Sequence, residues 1–289
     1  MNAALQSLLD RYQPETARDW ENALREIVQE LALLGLWRSK FFEHAAFYGG
    51  TALRIFHGLP RFSEDMDFSL LRSDAGFRLD AALESVRSEL CALGFRFDVE
   101  RREKQWETAI ESAFIKGGTR VNLLEIGAPE GLSGRLPAGQ RMRIKLEVDT
   151  DPPPGAPEEV RTLLTPIPFQ VRLYQLPGLF AGKLHAVLCR NWGHRVKGRD
   201  FFDFVWYLGR GVPCHLGHLQ KRMEQSGHWT EGTLDLASLH ARLTERFAQV
   251  DFDQARADVR PFLRDPDATA LWSRDFFLGL VPLVRGVAV

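Results

Sequence analysis

The chain has 289 residues, 45% of them hydrophobic and 26% charged, with a formal net charge of −1 at neutral pH. Such a chain buries the core of one large or two modest domains and has no overall attraction for nucleic acid, so any RNA contact must come from local basic clusters. No uninterrupted run of about 18 apolar residues occurs, which argues against a membrane span. The opening MNAALQSLLDRYQPE has an acid where a signal peptide keeps its apolar core, so the cytoplasm is the expected location. Cys91, Cys189 and Cys214 are far apart and unpatterned, which suggests neither a disulfide framework nor a zinc site.

In chain order, residues 1 to 45 carry apolar positions at three- and four-residue steps (Trp20, Leu24, Ile27, Val28, Leu31, Leu34), the pattern of a helical segment. Phe47 and Tyr48 read as a short strand, and Gly49-Gly50 as a tight turn. Thr51 then reads as the N-cap of a helix ending near Gly58. Arg61 to Leu70 is an extended stretch. Asp74 is placed as the cap of a helix running to Leu93, which Gly94 stops. Four extended runs are predicted next, Phe95–Glu100, Trp106–Ile115, Thr119–Ile126 and Arg141–Val148. The proline-rich DTDPPPGAPEEV is irregular and marks a boundary. Phe169–Leu173 reads as a last edge strand, followed by helices near 177–192, 199–209, 215–225, 235–248, 251–264 and 269–283. The order predicts an α+β fold: a helical segment over 1–45, a mixed-sheet core over 46–173 and a C-terminal helical lobe over 174–289.

The chemically explicit stretch is FYGGTALRIFHGLPRFSEDMDFSL, from Phe47 to Leu70. A glycine turn that opens a helix presents free amides and the positive helix end, a natural seat for phosphate. Side chains alternate along a strand, so Asp65 and Asp67 fall on one face. Two like charges there repel unless a cation lies between them, and a hard divalent ion that also takes phosphate oxygens suits the pair. Ser63, two residues before Asp65, is a candidate for a phosphate or a metal-bound water. Arg54 and Arg61 are candidates for phosphate charge compensation. In Arg141–Asp149, Arg143, Lys145, Glu147 and Asp149 share one strand face, an arrangement that suits either an ordinary wet face or a further carboxylate of a metal site.

GGTAL followed by R-x-S-x-D-x-D-F-S resembles the AbiEii/AbiGii toxin family, a branch of the DNA polymerase β-like nucleotidyltransferases. The resemblance implies a nucleotidyltransferase core in which Thr51 stands for the serine hydroxyl of the wider superfamily. It also implies an acid in the I-K-x-E/D strand, which makes Glu147 the preferred third metal carboxylate beside Asp65 and Asp67, with Asp149 in reserve. K-L-x-A at Lys183 and K-x-R-D-x-x-D at Lys197–Asp203 resemble the family's second motif block. Lys183 is then a phosphate or base-side contact, Asp200 and Asp203 are wall or lysine-orienting acids, and Arg199 completes the cleft. The spacer NWGHRV is longer than the family pattern, leaving Arg190, Arg195 and Lys197 either on RNA phosphates or in a solvated loop. His44, His57, His185 and His194 show no H-x-x-x-H or H-E pattern, and most of them are given no metal or base role.

The site residues suit a Mg2+-dependent transfer of NMP from an NTP, and the resemblance implies an RNA acceptor, with the 3′ end of tRNA as the implied site. It also implies the toxin of a toxin–antitoxin or phage-defence pair with a separate antitoxin protein. The rivals are transfer to a small molecule or a protein, and a catalytically silent nucleotide-binding module, against which the intact Asp65/Asp67 pair argues.

Overall fold

The structure is a computed structural model that describes residues 3–102, 109–134, 136, 137, 139–191, 195–230 and 232–287. It divides into two compact units, the first made of Met1–Thr51, Glu64–Pro152 and Val160–Leu173, the second of Ala52–Ser63, Pro153–Glu159 and Tyr174–Val289.

The first unit begins with helices α1 (Ala3–Leu9) and α2 (Ala17–Arg38). A capping box fixes the start of α2: the Asp19 amide donates to the Thr16 hydroxyl, and the Thr16 amide to the Asp19 carboxylate. The apolar stripe read from the sequence, Leu24, Ile27, Val28, Leu31 and Leu34, is buried. Then come β1 (Ala45–Tyr48), α3 (Gly49–His57), β2 (Met66–Leu70), α4 (Asp80–Ala92), β3 (Phe97–Arg101), β4 (Ile110–Gly118), α5 (Thr119–Glu125), the single turn α6 (Glu130–Ser133), β5 (Arg141–Asp149), β6 (Glu158–Leu163) and β7 (Phe169–Tyr174). α2 and α4 approach so closely that a Cβ on Gly35 would lie 2.6 Å from the Val86 Cα. The strands form one mixed sheet in the order β3-β4-β5-β2-β1-β7-β6. β1 and β2 are antiparallel, β2 and β5 parallel, and β4 antiparallel to β5 and to β3.

Several expectations change here. Thr119–Ile126, expected as a strand, is mostly the helix α5, because the Asn122 side chain bonds the Arg96 backbone in both directions and Leu123 enters the core. Tertiary contacts outweigh its local propensity. Asp74 caps no helix; its carboxylate accepts from the Gly76 amide in a tight turn, and α4 starts later, at Asp80. The proline-rich loop ends in an unforeseen strand, β6, so β7 is interior and β6 is the edge. Residues 106–108 of the second expected run lie outside the described residues, and the strand is seen from Ile110 to Gly118.

The second unit holds the helices α7 (Leu176–Cys189), α8 (Gly198–Gly209), α9 (Leu216–Gln225), α10 (Leu236–Gln249), α11 (Phe252–Val259) and α12 (Arg274–Leu280), with a two-residue parallel pair, β8 (Cys214–His215) and β9 (Gly286–Val287). The last two expected helices are shorter than predicted. Pro261, Pro266 and Pro282 each open a 3-10 turn at which the longer pattern breaks. Phe201, Phe247, Phe252 and Phe277 form the aromatic centre, with Phe252 and Phe277 stacked at 4.3 Å. No helix of the described residues is long and apolar enough to cross a membrane.

Candidate active site

α3 starts directly at Gly49, so Thr51 is its third residue and not its cap. Gly49 has φ +80°, open to glycine and strained for other residues, and the Asp67 carboxylate packs so tightly over it that a Cβ would collide with Asp67 Oδ2. The glycine and the acid are thus fitted to each other. Thr51 is fully buried, and its hydroxyl donates to the Asp65 backbone carbonyl. The expected phosphate-facing hydroxyl is therefore spent inside the chain, where it ties the start of α3 to the segment before β2. From the other side, the Gln29 amide donates to the Glu64 carbonyl at 3.2 Å. Two side chains therefore hold the backbone that carries Asp65.

Asp67 faces Tyr48 on β1 and Glu147 on β5 in the register of the sheet. Paired residues on adjacent strands share a face with backbones about 4.8 Å apart, which brings the second and third expected carboxylates side by side. Asp65 precedes β2, and Asp65, Asp67 and Glu147 are all half-buried. Glu147 is occupied by Lys145, two residues earlier on the same face, at 2.6 Å. The reserve acid Asp149 lies further along, opposite Ser69, and accepts from the Asp151 amide at 3.1 Å. Among the described residues the one trio whose ligand atoms all gather within 4.8 Å is His185, Cys189 and His228. The Lys145 ammonium engages one of the two Glu147 oxygens and competes with a cation for this carboxylate.

The second unit carries a cluster of another kind. Lys183 Nζ lies 2.7 Å from Asp200 Oδ1 and 2.9 Å from Asp203 Oδ2. Asp203, fully buried, is also gripped by Arg61, whose Nε and Nη2 donate to its two oxygens at 2.6 Å each. Arg190 donates to the other oxygen of Asp200 at 2.6 Å. Burial opposes the charge on Asp203, yet Arg61 and Lys183 outweigh it and hold the carboxyl below its ordinary range. Burial likewise opposes the charge on Lys183, and Asp200 and Asp203 raise its pKa above the usual lysine value.

The expected phosphate role of Arg61 is corrected by this geometry: its guanidinium is buried and bidentate on Asp203, and its Nη1 donates to the Phe62 carbonyl. Arg54 closes its own helix by donating to the Leu59 carbonyl at 3.0 Å and lies over the Phe62 ring. Ser63 is buried and outside β2. Arg199 stacks on Phe262 at 4.2 Å from the ring centre. Arg195 pairs with Asp258 at 2.6 Å, so neither it nor Arg190 belongs to a merely solvated loop. Residues 192–194 of the spacer, with His194, lie outside the described residues. The Arg61–Asp203 pair spans 142 positions and left no local signal in the sequence.

The site thus sets a strand acid against a helix-opening glycine, with a further acid in register on the neighbouring strand, and the class of the chain, a nucleotidyltransferase, follows from its family. Residues 31–278 match the family model described as nucleotidyl transferase AbiEii toxin, type IV toxin–antitoxin system, and the chain belongs to that family. It is thus a toxin component, with a nucleotide substrate and an antitoxin partner. No curated protein matches the sequence. Among solved structures, a Helicobacter pylori protein assigned by name to the nucleotidyltransferases is similar at 18% identity and TM-score 0.48, covering 89% of each chain. JHP933 from Helicobacter pylori is similar at 19% identity and TM-score 0.48, covering 89% of this chain and 90% of its own.

Proposed function

We propose that the protein transfers NMP from an NTP to a hydroxyl of RNA, with the 3′ end of tRNA as the acceptor. The observation that carries this is the fitted pair Gly49–Asp67 with Glu147 in register beside it. The donor set is hard oxygen, which fits Mg2+; Asp65, Asp67 and Glu147 would hold the ion. When bound, such an ion neutralises phosphate charge and lowers the pKa of the attacking hydroxyl.

The chain's own residues do the positioning. Gly49 and Gly50 leave the backbone at the start of α3 open to phosphate oxygens, and the helix amides there favour negative charge. Thr51 and Gln29 fix the backbone of Asp65 and Glu64, so that the acid is placed before substrate arrives. The acceptor oxygen attacks the α-phosphorus, the bond to the β-phosphate oxygen breaks, pyrophosphate leaves, and Glu147 takes the acceptor proton. Lys183, kept charged by Asp200 and Asp203, is the proposed phosphate contact through its match to the family's second motif block.

The test is incubation of the protein with each labelled NTP and Mg2+ in the presence of total RNA, total protein or a panel of small hydroxyl compounds. Label in tRNA that is lost on 3′-end blocking supports the proposal. Label in protein or in a small molecule with none in RNA overturns the acceptor, and no transfer with any of these overturns the activity.

A further inference from the structure

His185, Cys189 and His228 each offer a ligand atom within 4.8 Å of the others, and all three belong to the second unit. His185 and Cys189 are four residues apart on α7, so they stand one above the other on one face. His228 follows α9, and its position is fixed by the way that helix ends. Gly227, at φ +73°, lets its amide reach the Glu224 carbonyl at 3.0 Å, and the His228 amide returns to the Met223 carbonyl at 2.7 Å. This double bond pattern is a rigid helix stop. It fixes the backbone from which the His228 imidazole projects.

A hydroxyl then orients both rings. Ser226 Oγ lies 2.8 Å from His185 Nε2 and 2.9 Å from His228 Nδ1, and it donates to the Met223 carbonyl at 3.2 Å. With its proton so used, the hydroxyl accepts from both rings. The lone pairs are then left on His185 Nδ1 and His228 Nε2, the way an outer-shell partner fixes the tautomer of a metal-binding histidine. Cys189 and His228 also line a cavity of about 160 Å³ that Glu245 borders, which leaves space for a water or a carboxylate as a further ligand. Two arginines share that cavity, where they favour the thiolate of Cys189: Arg242 stacks on Trp229, and Arg246 donates to the carbonyls of Val187 and Arg190.

We propose that His185, Cys189 and His228 form a transition-metal site that takes Zn2+ and staples α7 to the end of α9. Two imidazoles and a thiolate suit a borderline-soft ion over Mg2+. A tetrahedral ion with bonds of roughly 2.0–2.3 Å keeps its ligands roughly 3.3–3.8 Å apart, so a small side-chain rotation closes the set. α7 also carries Lys183, so metal loading acts on the helix that holds this cation.

The experiment uses the full chain, free of any histidine tag and stripped of metal, titrated with Co2+ and with Zn2+ against a chromophoric chelator. One Co2+ should bind with a near-ultraviolet thiolate-to-cobalt band, and Zn2+ should displace it. Cys189→Ser should remove the band, and His228→Ala should weaken Zn2+ binding at least about tenfold. Asp65→Asn should leave band and stoichiometry unchanged, which separates this site from the acids of the first unit. Absence of the thiolate band in the wild-type protein overturns the site without recourse to any variant, as does unchanged Zn2+ affinity in folded Cys189→Ser.

Discussion

The acid-bearing strands of the first unit and the ion cluster of the second use the same kinds of side chain to opposite ends. Asp65, Asp67 and Glu147 are half-buried on or beside adjacent strands, and Lys145 pairs with Glu147. Asp200 and Asp203 are buried and saturated by Arg61, Lys183 and Arg190. The first arrangement sets half-buried acids beside one another on neighbouring strands; the second uses up its charge in holding helices and a lysine in place. Acids that bind substrates tolerate removal of their charge structurally, whereas acids that hold a fold do not.

The largest expected effect is on activity in the first region. Asp65→Asn or Asp67→Asn should lower the transfer rate by about a thousandfold or more, since several kcal/mol of charge stabilisation are removed. Thermal stability should change less than for the buried acids of the second unit, because these side chains are half-buried. A clear fall in melting temperature would place these acids with the structural kind.

In the second region the balance reverses. Arg61→Met or Asp203→Asn leaves a buried charge without its partner and should destabilise the protein by about 3–5 kcal/mol, read from denaturant unfolding. The pH dependence has a definite sign. Because the folded pKa of Asp203 is depressed, its ionic contribution is full above the unfolded value near ~3.9 and is lost as pH falls through the folded value. The stability gap between wild type and Asp203→Asn should therefore narrow in strong acid and stay constant between about pH 5 and 8.

Smaller effects sharpen the contrast. Gly49→Ala forces a positive φ on a residue with a Cβ and pushes against Asp67, so a loss of about 1–3 kcal/mol is expected together with impaired activity. Lys145→Met frees Glu147 and should lower the Mg2+ concentration needed for half-maximal rate, by a few fold given the modest strength of partly exposed pairs. An unchanged requirement would show that Lys145 does not compete for this carboxylate.

Much of the fold was legible because it rests on local rules: the apolar stripe of α2, the glycine that stops α4, the alternation of Arg141–Asp149. Alternation also foretold the face that Lys145, Glu147 and Asp149 share on β5, while the choice of Glu147 came from the family resemblance and Asp65 lies before β2. What stayed hidden was set by distant partners. Asn122 turns an apparent strand into a helix by bonding Arg96, and Arg61 answers to Asp203 rather than to a phosphate. Thr51 looked like a cap with a free hydroxyl, and only the path of the chain before β2 shows what it bonds. The cluster of His185 and Cys189 with His228 was not read from the sequence, because its third member comes from beyond α8 and α9.

The second unit takes residues Ala52–Ser63 from within the sequence of the first, and one of them is Arg61. A fragment beginning at Tyr174 would keep Asp203 in its interior while leaving behind the guanidinium that neutralises it. Limited proteolysis or truncation at one bond should accordingly yield no free-standing C-terminal piece. Supplying residues 52–63 as a separate peptide is the economical route to restoring it.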